Sequence, residues 1–311
     1  MSALWKKISV RFKKYVYLGF ISFVLFLGLN VYQSRKSVDR MHALRAIPKE
    51  ERDSLEWLLR HFHQDSSYVL FGTKPMAFAF LKREEVFRAQ APGVYEVMDS
   101  ITQYHIHNFV GLKGWEAWEK YKHLFASSNF VLLQNSEPNL NTLYLINKRE
   151  FLKTVEEEID LFKKVLGSHI TPQKVLDQCL TSKDVFEIAL KGNHALLGVL
   201  LGFGRHNAEL FARRNEIMHK KALMPSSGFA TLEEEYAYLD AKLQSFTEEE
   251  SEEWNSLGLT LPCFAADLDH PETQKLKMKY RKQFKEIVQK YKGADFLEVT
   301  LRQFAFNTST S

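Results

Sequence analysis

Hydrophobic and polar positions divide the chain into one long apolar run and a remainder of helical stripes and short strand-like runs. Residues 15–32, YVYLGFISFVLFLGLNVY, hold no charge and one strongly polar side chain, Asn30. A helix of that length spans about 27 Å, near the hydrocarbon thickness of a bilayer. Tyr15, Tyr17 and Tyr32 stand at its ends, where amphipathic rings favour the headgroup level. The run predicts a single transmembrane helix, a retained signal-anchor with the lipid bilayer as its partner. A cleaved signal would want a small-x-small site, which Val31-Tyr32-Gln33-Ser34-Arg35-Lys36 lacks. A buried core helix would not normally follow so basic an arm.

Residues 33–47 are polar and basic and read as a connector. From Pro48, PKEERDSLEWLLRHF sets Leu55, Leu58, Leu59 and Phe62 on one helical stripe. SYVLFG and MAFAFLK flank Thr73-Lys74-Pro75 and predict a hairpin or strand pair. GWEAWEKYKHLF predicts an amphipathic helix. NFVLLQ and TLYLIN, separated by Asn135-Ser136-Glu137-Pro138-Asn139, predict a second hairpin. REFLKTVEEEIDLFKKVLG reads as one helix closed by Gly167, and Thr171-Pro172 as the cap and first residue of the next. Residues 182–221 read as helical around a glycine-bearing apolar stretch, 231–253 as an acidic helix and its exit, and 271–292 as a helix ending at Gly293.

No internal repeat appears. The expected fold class is α+β: a basic arm (1–14), a transmembrane helix (15–32), a connector (33–47), a helix-rich domain with a small antiparallel sheet (48–305) and a tail (306–311).

Composition sharpens this picture at three points. Among 311 residues, 24 Phe, 12 Tyr and 5 Trp suffice for a sizeable core. Two cysteines, Cys179 and Cys263, exclude a disulfide-dense scaffold and a Cys-only zinc site. The net charge of +4 comes from three blocks: +5 over residues 1–14, −8 over 231–253 and +7 over 275–292. Such blocks do not make the broad cationic face of a nucleic-acid binder, so no nucleic acid is expected as a partner. Five cations precede the apolar run and four (Arg35, Lys36, Arg40, Arg45) follow it closely. That narrow excess predicts a cytoplasmic N-terminus, with the bulk of the chain on the periplasmic side of the inner membrane. Cys179 and Cys263 could pair there, and spacing does not decide it.

The most distinctive segment is HALLGVLLGFGRHNAELFARR, residues 194–214. Gly198 and Gly202 share a helix face and permit close backbone approach. Gly202-Phe203-Gly204 then loosens the chain before Asn207, which is placed to cap a following helix. Exposed amides there, with Arg205 and His206 beside them, form a candidate anion site of Gly202, Gly204, Arg205, His206 and Asn207. The plainer reading is tight helix packing and a helix break. A dinucleotide fingerprint lacks its third glycine, its strand and its acidic residue.

Three further patterns resemble metal or thiol chemistry more weakly. His61 and His63, and His105 and His107, have alternate spacing that suits ligation on a strand, but no third ligand is specified. Asp267 and Asp269 could hold a divalent cation, though Pro262 and Pro271 suggest a loop and helix cap. Cys179 sits in VLDQCL as a small core hydrophobe. No G-x-S-x-G, S-x-x-K, H-E-x-x-H or P-loop motif occurs. No catalytic residue, cofactor or metal is therefore assigned. The helix KLKMKYRKQFKEIVQKY places Leu276, Tyr280, Phe284, Ile287 and Tyr291 on one stripe with cations around the rest. It is expected to dock on the core, to pair with Glu248–Glu253, or to offer a surface at residues 275–292 to a protein partner or a membrane.

LLGVLLGFGRHNAELF, the FGTKP turn, GWEAWEKYKHLF and LPCFAADLDHPETQKLKMKYRKQFKEI…GADFLEVTL together resemble a family of membrane-anchored proteins of bacteria of the chlamydial lineage. The resemblance covers most of the chain beyond residue 32. It implies an obligate intracellular bacterial setting, supplies no chemistry because the family has no assigned activity, and gives no site residue. The expected function is a membrane-tethered interaction or structural module. The alternative is an enzyme of unrecognised type, with an anion site near Gly202–Asn207.

Overall fold

Helix α1 (Lys49–His61) buries Leu55, Leu58 and Leu59 on the predicted stripe, with Phe62 buried just past its end. Glu50 and Glu51 in its first turn complement the positive end of the helix dipole. The helix opens the second of two compact units, residues 49–311, the first being residues 1–48. The structure, a computed structural model, describes residues 42–81, 112–125, 127–136, 141–223, 230–246 and 259–306. Every element from α1 onward belongs to the second unit.

After Phe62 the chain continues as α2 (His63–Leu70). SYVL is thus the end of a helix and not a strand paired with MAFAFLK. Residues Ser66 to Leu70 are all buried, and burial on every side erases the polar half of a periodicity. The turn that follows is fixed by Lys74, whose amide donates to the Tyr68 carbonyl at 3.1 Å. Its ammonium is fully buried and ion-paired with Asp65.

Strand β1 (Met76–Leu81) pairs with a distant partner. β2 (Phe130–Ser136) and β3 (Asn141–Asn147) form the expected antiparallel hairpin, Phe130 opposite Asn147. β1 joins the free edge of β3, Met76 opposite Ile146, to give the order β1-β3-β2. β3 is therefore the central strand, and its residues 142–147 are all buried. Among the described residues between β1 and β2 are α3 (Leu112–Tyr121), which packs on α1, and a 3-10 turn, Lys122–Phe125.

The segment expected as one helix over residues 149–167 breaks at Glu158 into α4 (Lys148–Glu157) and α5 (Ile159–Leu166). Its buried positions, Phe151, Val155, Phe162 and Leu166, keep helical spacing through the break, so periodicity does not reveal it. Helix α6 (Pro172–Thr181) is capped by Thr171, whose side chain accepts from the Lys174 amide. A π-helical turn (Val185–Ala189), α7 (His194–Leu200) and α8 (Arg205–Leu223) come next. Helix α9 (Ala230–Lys242) ends earlier than its acidic pattern suggests, because the chain turns into β4 (Leu243–Ser245). β4 pairs antiparallel with β5 (Ala265–Asp267). Glu248–Glu253 lie outside the described residues.

Helix α10 (Pro271–Tyr291) buries Thr273, Tyr280, Phe284, Ile287 and Tyr291, with Leu276 only partly covered. Helix α11 (Phe296–Phe306) completes the order. One continuous core joins β1 and β3 to α4 through α8, around Ile146, Phe151, Phe162, Leu176, Leu196 and Leu200. The unit is helix-rich α+β with a small antiparallel sheet.

The expectation of a membrane protein, its bulk on the periplasmic side, is corrected. Among the described residues no helix is long and apolar enough to cross a membrane. The two longest, α8 and α10, carry charges on every turn, too costly in hydrocarbon. Residues 15–32 lie outside the described residues, and no membrane placement is carried forward.

Candidate functional site

The segment Gly202–Asn207 spans the end of the turn between α7 and α8 and the first three residues of α8. Gly202 and Gly204 have φ of +74° and +81°, a left-handed backbone that favours glycine and reverses the chain here. The Tyr280 hydroxyl donates to the Gly202 carbonyl at 2.7 Å, and a Cβ at Gly202 would run into that hydroxyl. One turn earlier, Gly198 lets α7 approach α8: a Cβ there would stand 2.8 Å from Ala208 Cβ. Phe203 stacks on Phe264, and Phe264 on Phe246, with ring centroids 4.4 and 4.3 Å apart.

The start of α8 already holds an anion, and the chain supplies it. The amides of Arg205 and His206 donate to the two carboxylate oxygens of Glu272, at 3.0 and 2.9 Å. Glu272 lies in the first turn of α10, so one carboxylate satisfies two orphan donors of α8 while favouring the dipoles of both helices. The Arg205 guanidinium is likewise engaged, 2.8 Å from Asp160, 3.3 Å from Glu158 and 3.2 Å from Glu209. The hydrogen bond from Arg205 holds the Asp160 carboxyl below its usual range, whereas burial pushes Glu158 up despite the same guanidinium.

Asn207 does not cap α8. It is the third helical residue, and Glu272 takes the capping role. Asn207, 1% exposed, instead ties α8 to the preceding turn, to β5 and to α10. Nδ2 donates to the Phe203 carbonyl at 2.9 Å, and Oδ1 accepts from the Asp267 amide at 2.9 Å. Thr273 Oγ1 lies 3.0 Å from Nδ2 and 3.1 Å from Oδ1.

His206 points the other way. Its Nε2 lies 2.9 Å from Asp267 Oδ2, and its ring stacks on His270 with centroids 3.6 Å apart. Lys242 Nζ is 3.0 Å from the same Asp267 oxygen. Burial pushes the Asp267 carboxyl up, but hydrogen bonds from His206 and Lys242 outweigh it and hold the group below its usual range. Beside this cluster opens a cavity of about 390 Å³ lined by Lys242, Gln244, Asp267, Asp269, His270 and Pro271, among others. Among the described residues, the lining offers no hydroxyl or thiol for a carboxylate-oriented imidazole to activate.

The remaining candidates stand apart. Asp267 and Asp269 form no cation cage, Asp267 being engaged by His206 and Lys242. Among the described residues no group of three or more His, Cys, Asp or Glu could hold a metal ion. His61 Nδ1 lies 2.8 Å from the Trp57 carbonyl, while His63 is buried with its ring perpendicular to those of Tyr291 and Phe296. His105 and His107 lie outside the described residues. Cys179 is buried, which pushes its thiol up to about 12, and Cys263 is exposed; the two are not joined. Periodicity and motifs missed Glu272, Lys242, Thr273, Glu158 and Asp160. Only Glu272, an acid just after Pro271, carried a local signal, and that signal pointed to its own helix. No family model, curated protein or solved structure matches the chain.

Glu272→Gln keeps the shape of the clasp and removes its charge. A loss of about 1 kcal/mol is expected in urea denaturation at neutral pH. An unchanged midpoint would mean that the carboxylate charge contributes nothing at the start of α8.

Proposed function

We propose that the chain acts as a non-catalytic interaction or structural module. One observation carries this reading: the groups that would bind an external anion at Gly202–Asn207 are bonded to the chain's own side chains. Glu272 occupies the two amides, three acids surround Arg205, and Asn207 is buried in a bonded network. A binding site keeps such donors free for its ligand. Here they fasten α8 to α10 and α5.

The enzyme reading has one observation in its favour, the His206–Asp267 contact beside an open cavity. Ligand linkage separates the two. A ligand that binds only the native state raises the unfolding midpoint with concentration. Millimolar phosphate, compared with chloride at equal ionic strength, is expected to leave the thermal midpoint unchanged. A rise of several degrees that disappears in Arg205→Ala would sink the module reading and restore the anion site.

A further inference from the structure

The outer face of α10 differs from the charged surface that α8 and α9 share. On α8 and α9 the cations meet acids across the helix pair: Arg213 with Glu235 at 2.7 Å, Arg214 with Asp240 at 3.1 Å, and Lys221 with Glu233 at 3.5 Å. On α10, Lys275, Lys282 and Lys285, with Lys292 just past its end, are all exposed. None of the four has an ion pair or hydrogen bond to another side chain among the described residues. Helical spacing sets them in one row with Met278 and Gln289, about 25 Å long. Met278 is 64% exposed at the upper part of that row, the most exposed of the large hydrophobic side chains among the described residues. The opposite side of the helix is fixed in the core by Tyr280, Phe284 and Ile287, so the face is held rigidly in place.

We infer that this face is the docking surface of the module, and that its partner is an acidic protein segment laid along α10. The inference rests on the module reading above. Charge complementarity identifies the occupant: unpaired lysines in a helical row attract a matching row of carboxylates. Met278 supplies what electrostatics lacks, a flexible apolar contact that adapts to a hydrophobic side chain of the partner. Nucleic acid fits less well, because the row offers no aromatic ring for bases to stack on and is one helix wide.

The test uses the full chain and a labelled glutamate-rich amphipathic peptide, followed by fluorescence anisotropy at low salt. Lys282→Glu/Lys285→Glu is expected to weaken binding about tenfold or more. Met278→Ser is expected to weaken it about threefold, an effect that charge attraction alone does not give. Lys163→Glu/Lys164→Glu, an exposed pair on α5, should leave it unchanged. Circular dichroism and thermal midpoints verify that each variant is folded. Equal losses in the α10 and α5 variants, no effect of Met278→Ser, or tighter binding to duplex DNA or anionic vesicles than to the peptide would each overturn the inference. Absent peptide binding would overturn it too. None of these results touches the phosphate experiment, on which the module reading stands separately.

Discussion

Lowering the pH from 7 to 4 is expected to cost the protein about 3 kcal/mol through His63 alone. His63 is 5% exposed, its ring perpendicular to those of Tyr291 and Phe296 at centroid distances of 5.0 and 4.9 Å. Burial, and secondarily the charge of Arg60, push its pKa down from 6.5 to about 4. The sign follows from which state takes the proton. Between pH 6.5 and 4 the unfolded chain protonates His63 and the native chain does not, so stability is full above that window and drains away as pH falls through it. His63→Phe keeps an aromatic ring in an aromatic site and removes the titration. It gives up the 2.6 Å contact with Ser67, at a cost of about 1 kcal/mol that is independent of pH. Urea denaturation at pH 7, 5 and 4 should show a shallower pH slope for the variant. Parallel slopes would mean that His63 protonates as readily in the native state as in the unfolded chain.

A comparable loss, about 3 kcal/mol at neutral pH, is expected for Asn207→Ala. The truncation leaves the Asp267 amide and the Thr273 hydroxyl without their buried partner, and the part-buried Phe203 carbonyl without its donor. Each buried orphan costs about 1–3 kcal/mol, and the small cavity adds to it. The cost should not add to that of Thr273→Val. Once Asn207 is gone the hydroxyl is itself an orphan, so removing it recovers part of the loss. Chemical denaturation of the two single variants and the double variant measures this coupling. A single-variant loss under about 1 kcal/mol would mean that water reaches the site and replaces the amide.

How far the chain could be read depends on how local each cause is. The hairpin of β2 and β3, the Thr171 cap and the buried stripe of α1 are set by residues within a few positions of one another, and all were legible. SYVL resembles a strand in sequence because a helix buried on all sides loses its polar face. The break at Glu158 was hidden because the apolar spacing runs through it. At Gly202–Asn207 the glycines correctly marked a reversal and a close helix approach. What occupies the amides was illegible, since Glu272 lies 67 positions beyond Arg205 and nothing in its neighbourhood names that target. Likewise Lys242 and Asp267 meet only because β4 pairs with β5.

The clasp also constrains the order in which the molecule comes into being. A helix that carries its own cap can form as soon as it leaves the ribosome. α8 lacks that local help, because the carboxylate that completes its first turn is synthesised 67 positions after Arg205 and arrives only with α10. Its opening turn thus waits on a long-range closure, and a nascent chain halted anywhere before Pro271 presents those two amides bare.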